Sequence, residues 1–142
     1  WEEAFMADLE SATAIAASGL RVQAARMRII SENMANADST SATAGGDPYR
    51  RRSLAFKSYV DKEIGGEGVK VFGTRSDPTP FRVKFDPANP GAGPDGFVKL
   101  PNVDPMIELV DMREAQRSYE ANLNMIESAR SMKQRTLDLL RR

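Results

Sequence analysis

Apolar residues recur at steps of three and four along the first part of the chain. Met6, Leu9, Thr13, Ala16, Leu20, Gln23, Met27, Ile30, Met34 and Ala37 form one row, and all but Thr13 and Gln23 are apolar. That spacing predicts an amphipathic α-helix. A second row, Phe5, Ala12, Ile15, Gly19, Val22 and Ile29, runs beside it. At 100° per residue the two rows together span roughly 160°, wider than the seam of a two-stranded coiled coil. Glu2, Glu3, Asp8 and Glu10 crowd the start, where the helix dipole favours acids. The polar run Asp38–Thr43, followed by Gly45-Gly46, predicts the stop.

The end of the chain repeats the pattern. Leu109, Met112, Gln116, Tyr119, Leu123 and Ile126 make one stripe, which passes to Ala129, Met132, Thr136 and Leu140. Asp104 with Pro105 behind it is a helix start signal. Arg130, Lys133, Arg135, Arg141 and Arg142 gather toward the end, where the dipole favours bases.

Between the two patterns the period changes. All eight prolines lie from Pro48 to Pro105, and nine of the ten glycines lie from Gly45 to Gly96, so this region is read as strands and turns. Arg51–Tyr59, Val69–Thr74, Phe81–Phe85 and Phe97–Leu100 are the expected strands, with turns at Gly65–Gly68 and Pro94-Asp95-Gly96. The expected fold is α+β, with long N- and C-terminal helices packed as an antiparallel coiled-coil-like pair and a small β-rich middle region. Residues 1–46 would supply the first helix of the helical core, 47–103 the β and loop region, and 104–142 the second helix. Helices of about 35 residues would be roughly 50 Å long. Two helices share a single seam, so two broad apolar faces leave an apolar flank uncovered. Such a flank marks an assembly surface, and one that meets a different patch on its neighbour builds rings or open filaments.

Charge narrows the function. Twenty Lys and Arg balance twenty Asp and Glu, which argues against a nucleic-acid or anionic-membrane binder. The three segments carry six acids and three bases, seven and ten, then seven and seven. Arg50-Arg51-Arg52 is the densest basic run, but alternate residues of a strand face opposite ways, so salt bridges to acidic neighbours are the expectation. Without His or Cys the chain lacks the commonest metal ligand, a neutral-pH proton shuttle, a thiol nucleophile and any disulfide. No catalytic residue, metal site or cofactor is expected. A carboxylate-only glycosidase is the remaining enzyme class, yet no acidic pair is framed by aromatic residues and the sole Trp is Trp1. No apolar run reaches 18 residues, and WEEAFMADLE carries four acids and no base, unlike a secretory leader.

Several motifs point to a family. Ser18-Gly19-Leu20 and then Ser31 to Thr40 (SENMANADST) resemble the N-terminal signature of flagellar rod and hook proteins. Asp47-Pro48-Tyr49-Arg50 follows as in proximal-rod members. Phe85 to Ala92 (FDPANPGA), Asp95 to Val103 (DGFVKLPNV), Glu108 to Met112 (ELVDM) and Ala115 to Asn122 (AQRSYEAN) complete the set. Their order and spacing over nearly the whole chain identify it as similar to proximal-rod subunits. The resemblance implies a structural, non-enzymatic subunit of the drive shaft that crosses the periplasm. It also implies export through the flagellar type III apparatus without a cleaved signal. Implied partners are further copies of the chain, the rod proteins FlgB, FlgF and FlgG, and the rod base protein FliE. A coiled-coil adaptor or secretion chaperone of the same export system is the alternative.

The expected assembly interface follows the stripes: Leu9, Leu20, Met27, Ile30, Met34, Leu109, Met112, Tyr119, Leu123, Ile126, Met132 and Leu140. Asn33, Asn36 and Asn122 join them as polar residues that would fix register between subunits. All seven methionines fall in the helical flanks, and flexible side chains suit an interface shared by non-identical neighbours.

Overall fold

The computed structural model describes residues 1–141; Arg142, which the sequence reading assigns to the second helix, lies outside them. The elements are α1 (Glu2–Ala35), β1 (Arg52–Asp61), β2 (Gly66–Ser76), β3 (Arg82–Phe85), β4 (Phe97–Leu100) and α2 (Pro105–Leu140). The α+β expectation holds, with two packed helices of 34 and 36 residues enclosing a small antiparallel β region in sequence. The strands form two separate two-stranded sheets, β1 with β2 and β3 with β4. In the second sheet the register runs from Arg82 opposite Leu100 to Phe85 opposite Phe97.

The first three strands shift by one to three residues at their ends from expectation, and two boundary differences have a clear local reason. Helix α1 stops at Ala35 rather than near Asp38–Thr43. The Asn36 side chain donates to the Glu32 carbonyl (2.8 Å), and the Asn36 N–H is shared between the carbonyls of Glu32 and Asn33. The next bond, from Ala37 N–H to Met34 O, already spans three residues, so the helix tightens and ends. The β1–β2 turn comes earlier than Gly65–Gly68, and Gly66, Glu67 and Gly68 belong to β2. Gly65 takes a left-handed φ of 67°, and its N–H closes on Asp61 O, while Asp61 Oδ1 accepts the Glu63 N–H. Helix α2 begins as expected, with Asp104 Oδ1 accepting the Met106 N–H at 2.9 Å and Pro105 in the first turn.

The chain forms two compact units, each built from parts of both helices and of the middle region. The first comprises Trp1–Ala25, Ala55–Gly73 and α2 from Glu114 onward. Its helices are antiparallel: Lys133 bonds Glu10 at 2.8 Å, and Gly19 lies against Asn122. The buried residues are small or branched, chiefly Ala16, Ser18, Val22, Ala115 and Ala129. Two serine hydroxyls tie the β1–β2 hairpin to α1. Ser11 donates to the Ile64 carbonyl, and Ser18 accepts the Val69 N–H at 3.1 Å.

At Gly19 the helices of this unit approach closely. A Cβ there would lie 2.9 Å from the Asn122 amide, whose nitrogen is bonded to Ser118 O. Alanine would gain about 1 kcal/mol of helix propensity and cost a similar amount by turning Asn122 aside. Gly19→Ala is therefore expected to leave the urea midpoint nearly unchanged, whereas Gly19→Leu should cost about 1–3 kcal/mol by overpacking. Equal midpoints for all three chains would refute this packing.

The second unit comprises Arg26–Leu54 and Thr74–Arg113. Ile29, Ile30 and Asn33 of the first helix and Ala37 just past its end are buried in it, as are Val98, Pro101, Val103 and Glu108. Asn33 bonds Glu108 and Arg26 pairs with Asp111, so the helices are antiparallel here too. On the β3–β4 sheet, Phe85 and Phe97 meet edge to face at 5.3 Å between ring centres.

Candidate assembly surface and the polar cluster beneath it

The inner row of α2 is Glu108, Met112, Ala115, Tyr119, Asn122, Ile126, Ala129, Lys133 and Thr136, all buried or half-buried. It lies one step round the helix from the stripe read in the sequence. Of that stripe, Met112, Tyr119 and Ile126 lie half-buried in the inner row, while Leu109, Leu123, Met132 and Leu140 are exposed beside it. On α1, Leu9, Leu20 and Met27 are half-buried, Ile30 and Asn33 are buried, and Met34 is exposed; Asn36, just past its end, is half-buried. Asn122 is half-buried and bonded to its own helix at Ser118 O.

Asn33 is the most constrained of these residues. It is 1% exposed, and both ends of its amide are bonded within the chain. Its nitrogen donates to Arg52 O (2.8 Å) and to Glu108 Oε2 (3.2 Å). Its oxygen accepts from the Tyr49 hydroxyl (2.8 Å) and the Arg52 N–H (3.0 Å). Burial, against Arg52 and with Glu32 and Glu108 nearby, pushes Tyr49 upward in pKa, which keeps the phenol a donor.

Glu108, fully buried, is the centre of the cluster. Its second oxygen accepts from Arg51 Nε at 2.5 Å. The same guanidinium reaches Asp77 (3.4 Å) and Asp111 (3.3 Å), while the Arg51 N–H donates to Asn102 Oδ1 (2.7 Å). The Asn102 amide nitrogen in turn donates to Asp77 O and to Thr79. Four separate stretches of the second unit thus close on one ion pair. A charge taken out of water is tolerated here because each oxygen of the Glu108 carboxylate has a donor, Arg51 on one and Asn33 on the other, the condition under which buried pairs survive.

The three consecutive arginines take different partners, although only Arg52 lies in β1. Arg51 goes to the acids just described, and Arg52 pairs with Glu32 at 3.4 Å. Arg50 donates to the carbonyls of Asp77 and Thr79 and lies 4.1 Å over the Phe81 ring. Sequence reasoning expected salt bridges from Arg51 without naming its partners, and gave no role to Glu108, Tyr49 or Asn102. One signal was available: Glu108 stands four residues before Met112, so it occupies the apolar face of α2 and needs a partner.

The cluster carries a pH signature. The Thr79 backbone N–H and hydroxyl, with Arg51 beyond them, hold the Asp77 carboxyl below its ordinary value. A depressed carboxyl stabilises the fold above its unfolded pKa, about 3.9, and that contribution is lost as pH falls through the folded value. Thermal melts of the isolated chain should lose stability below about pH 4, less steeply in Asp77→Asn. Identical acid limbs for the two chains would remove Asp77 from the account.

Internal bonds engage the buried Asn33 and Glu108 of the second unit, and large apolar side chains stay outside. Exposed Leu109, Val110, Leu123, Met125, Met132, Leu139 and Leu140 on one helix are far more than scattered surface hydrophobics. The class this fits is a structural subunit. A family profile described as "Flagellar basal body rod FlgEFG protein C-terminal" matches residues 95–139. The chain is 50% identical over 136 residues to a flagellar basal-body rod protein FlgC of Agrobacterium fabrum, spanning 96% of this chain and 98% of that one. It is 39% identical to FlgC of Borreliella burgdorferi, spanning 93% and 97%, and 37% identical to FlgC of Salmonella typhimurium, spanning 88% and 92%. The chain belongs to the FlgC family of flagellar basal-body rod proteins.

Proposed function

We propose that the chain is a structural subunit of the proximal rod of a bacterial flagellum. It polymerises with copies of itself and with FlgB, FlgF and FlgG above the base protein FliE. The product is the drive shaft that crosses the periplasm, transmits torque and encloses the export channel. The subunit reaches that place through the flagellar type III export apparatus and acts without catalysis. The observation that carries this reading is the near-full-length likeness to FlgC relatives of three different genera. The open apolar flank of α2 supports it by supplying a surface for neighbours.

The interface is then drawn more narrowly than the stripes alone suggest. Met34, Leu109, Leu123, Met132 and Leu140, all exposed, meet neighbouring subunits directly. Half-buried Leu9, Leu20, Met27, Asn36, Met112, Tyr119, Asn122 and Ile126 lie at the edge of that contact. Ile30 and Asn33 act from beneath it, by fixing where α1 ends. The adaptor or chaperone alternative has no relative or geometry of its own in its favour.

Quantitative mass spectrometry of purified hook–basal bodies tests the reading. The chain is expected in a fixed ratio to the other rod proteins. Its absence from intact rods would overturn the proposal.

A further inference from the structure

Gln23 interrupts the apolar row of α1 between Leu20 and Met27. Its Oε1 is shut off from solvent and accepts no hydrogen bond. Among the described residues it is the one buried side-chain oxygen or nitrogen left in that state. The other buried polar side chains show the usual solution. Asn33 and Glu108 have donors on their oxygens, and Ser18 donates to the Ile15 carbonyl while accepting the Val69 N–H.

An amide oxygen taken from water without a donor raises the free energy of the folded state alone, because water solvates the same oxygen in the unfolded chain. Little around Gln23 offsets that cost. The buried residues of the first unit are Ala16, Ser18, Val22, Gly68, Ala115 and Ala129, none larger than valine. Helix propensity does not call for glutamine here either. Methionine and leucine form helices equally well, and both would extend the apolar row.

We propose that Gln23 is a weak point built into the first unit, which keeps its α1–α2 pair easy to open. The use of such a weak point rests on the rod reading. A chain threaded through an export channel has to part these helices first, and the fraction of molecules that stand open follows from the stability of the pair. Assembly does not remove the weak point, since an oxygen closed to solvent is also closed to a donor arriving from a neighbouring subunit.

Gln23→Met is the direct test. It keeps the unbranched shape and the helix propensity and removes the polar oxygen. The melting temperature of the isolated chain should rise by about 3 °C or more, and hydrogen exchange over residues 16–23 should slow by about tenfold. An unchanged or lowered melting temperature in Gln23→Met would show that the oxygen is satisfied, for instance by a bound water, and would overturn the weak point. Gln23→Glu is the opposing variant. A carboxylate in the same place should lower the melting temperature, and no change would put the side chain in solvent and overturn the proposal as well. In cells carrying each chain as the sole copy, the fraction found outside the cytoplasm should fall at least twofold in Gln23→Met. Equal export of a chain with a raised melting temperature would overturn the role in opening. Retention of the unsubstituted chain in the cytoplasm would overturn the rod reading instead, with the melting temperatures still deciding whether Gln23 is a weak point.

Discussion

Glu108→Ala should lower the stability of the isolated subunit by about 3–5 kcal/mol, among the largest effects of any single substitution outside the apolar core. The reason is the position of Arg51. Removing the carboxylate strips the guanidinium of its shortest contact and leaves the Asn33 amide without one of its two acceptors. Glu108→Gln keeps the shape and the bond to Asn33 but not the charge, so its cost should be smaller. The loss should be local before it is global. Hydrogen exchange is expected to accelerate first across residues 29–37 and 105–113, because Asn33 and Glu108 hold those two helix ends together. A double-mutant cycle of Arg51→Ala with Glu108→Ala should give a coupling of about 1 kcal/mol or more. Strict additivity would show that the pair is an accident of proximity.

Leu123→Glu should abolish swimming while leaving expression, export and the folded subunit intact. Leu123 is exposed and outside the inner row of α2, so the isolated chain has little to lose. An interface that buries the leucine would lose roughly 1.5–3 kcal/mol of apolar contact and would also have to accommodate an unpaired carboxylate, which costs more. Ile126→Glu is a less discriminating variant, because Ile126 is half-buried within the subunit and its loss disturbs the fold as well. Normal swimming and normal rod content in Leu123→Glu would eliminate the α2 flank as an assembly surface.

The contrast between these substitutions follows a division within the chain. Glu108 is reached by groups from residues 33 and 51, separated from it by 75 and 57 positions. No local pattern announces such a meeting. The sequence reading treated Asn33 as a register-setting contact between subunits, yet the folded chain engages its whole amide internally. The signal was ambiguous because a polar residue on an apolar helix face needs a partner whether that partner lies in the same chain or the next. On α2 the difficulty was different. Apolar side chains run around more than one face, so the period predicts a helix without choosing which row turns inward. Tight packing made the choice. Ala115 and Ala129 let the backbones approach, and bulkier Leu109, Leu123 and Met132 were left outside.

By itself the sequence determined the two helices, their antiparallel pairing, the four strands and the surplus of apolar surface. These follow from periodicity, from the confinement of proline and most glycine to the middle, and from the cap at Asp104, all of which are properties of neighbouring residues. The motifs at Ser31–Thr40 and Asp95–Val103 also carried the family. Tertiary structure alone decided the end of α1 at Ala35, the division into two units, the Glu108–Arg51–Asn33 cluster and the row that α2 buries. Those features depend on which distant groups satisfy a buried charge or allow two backbones to approach, and such partners are set by the fold as a whole.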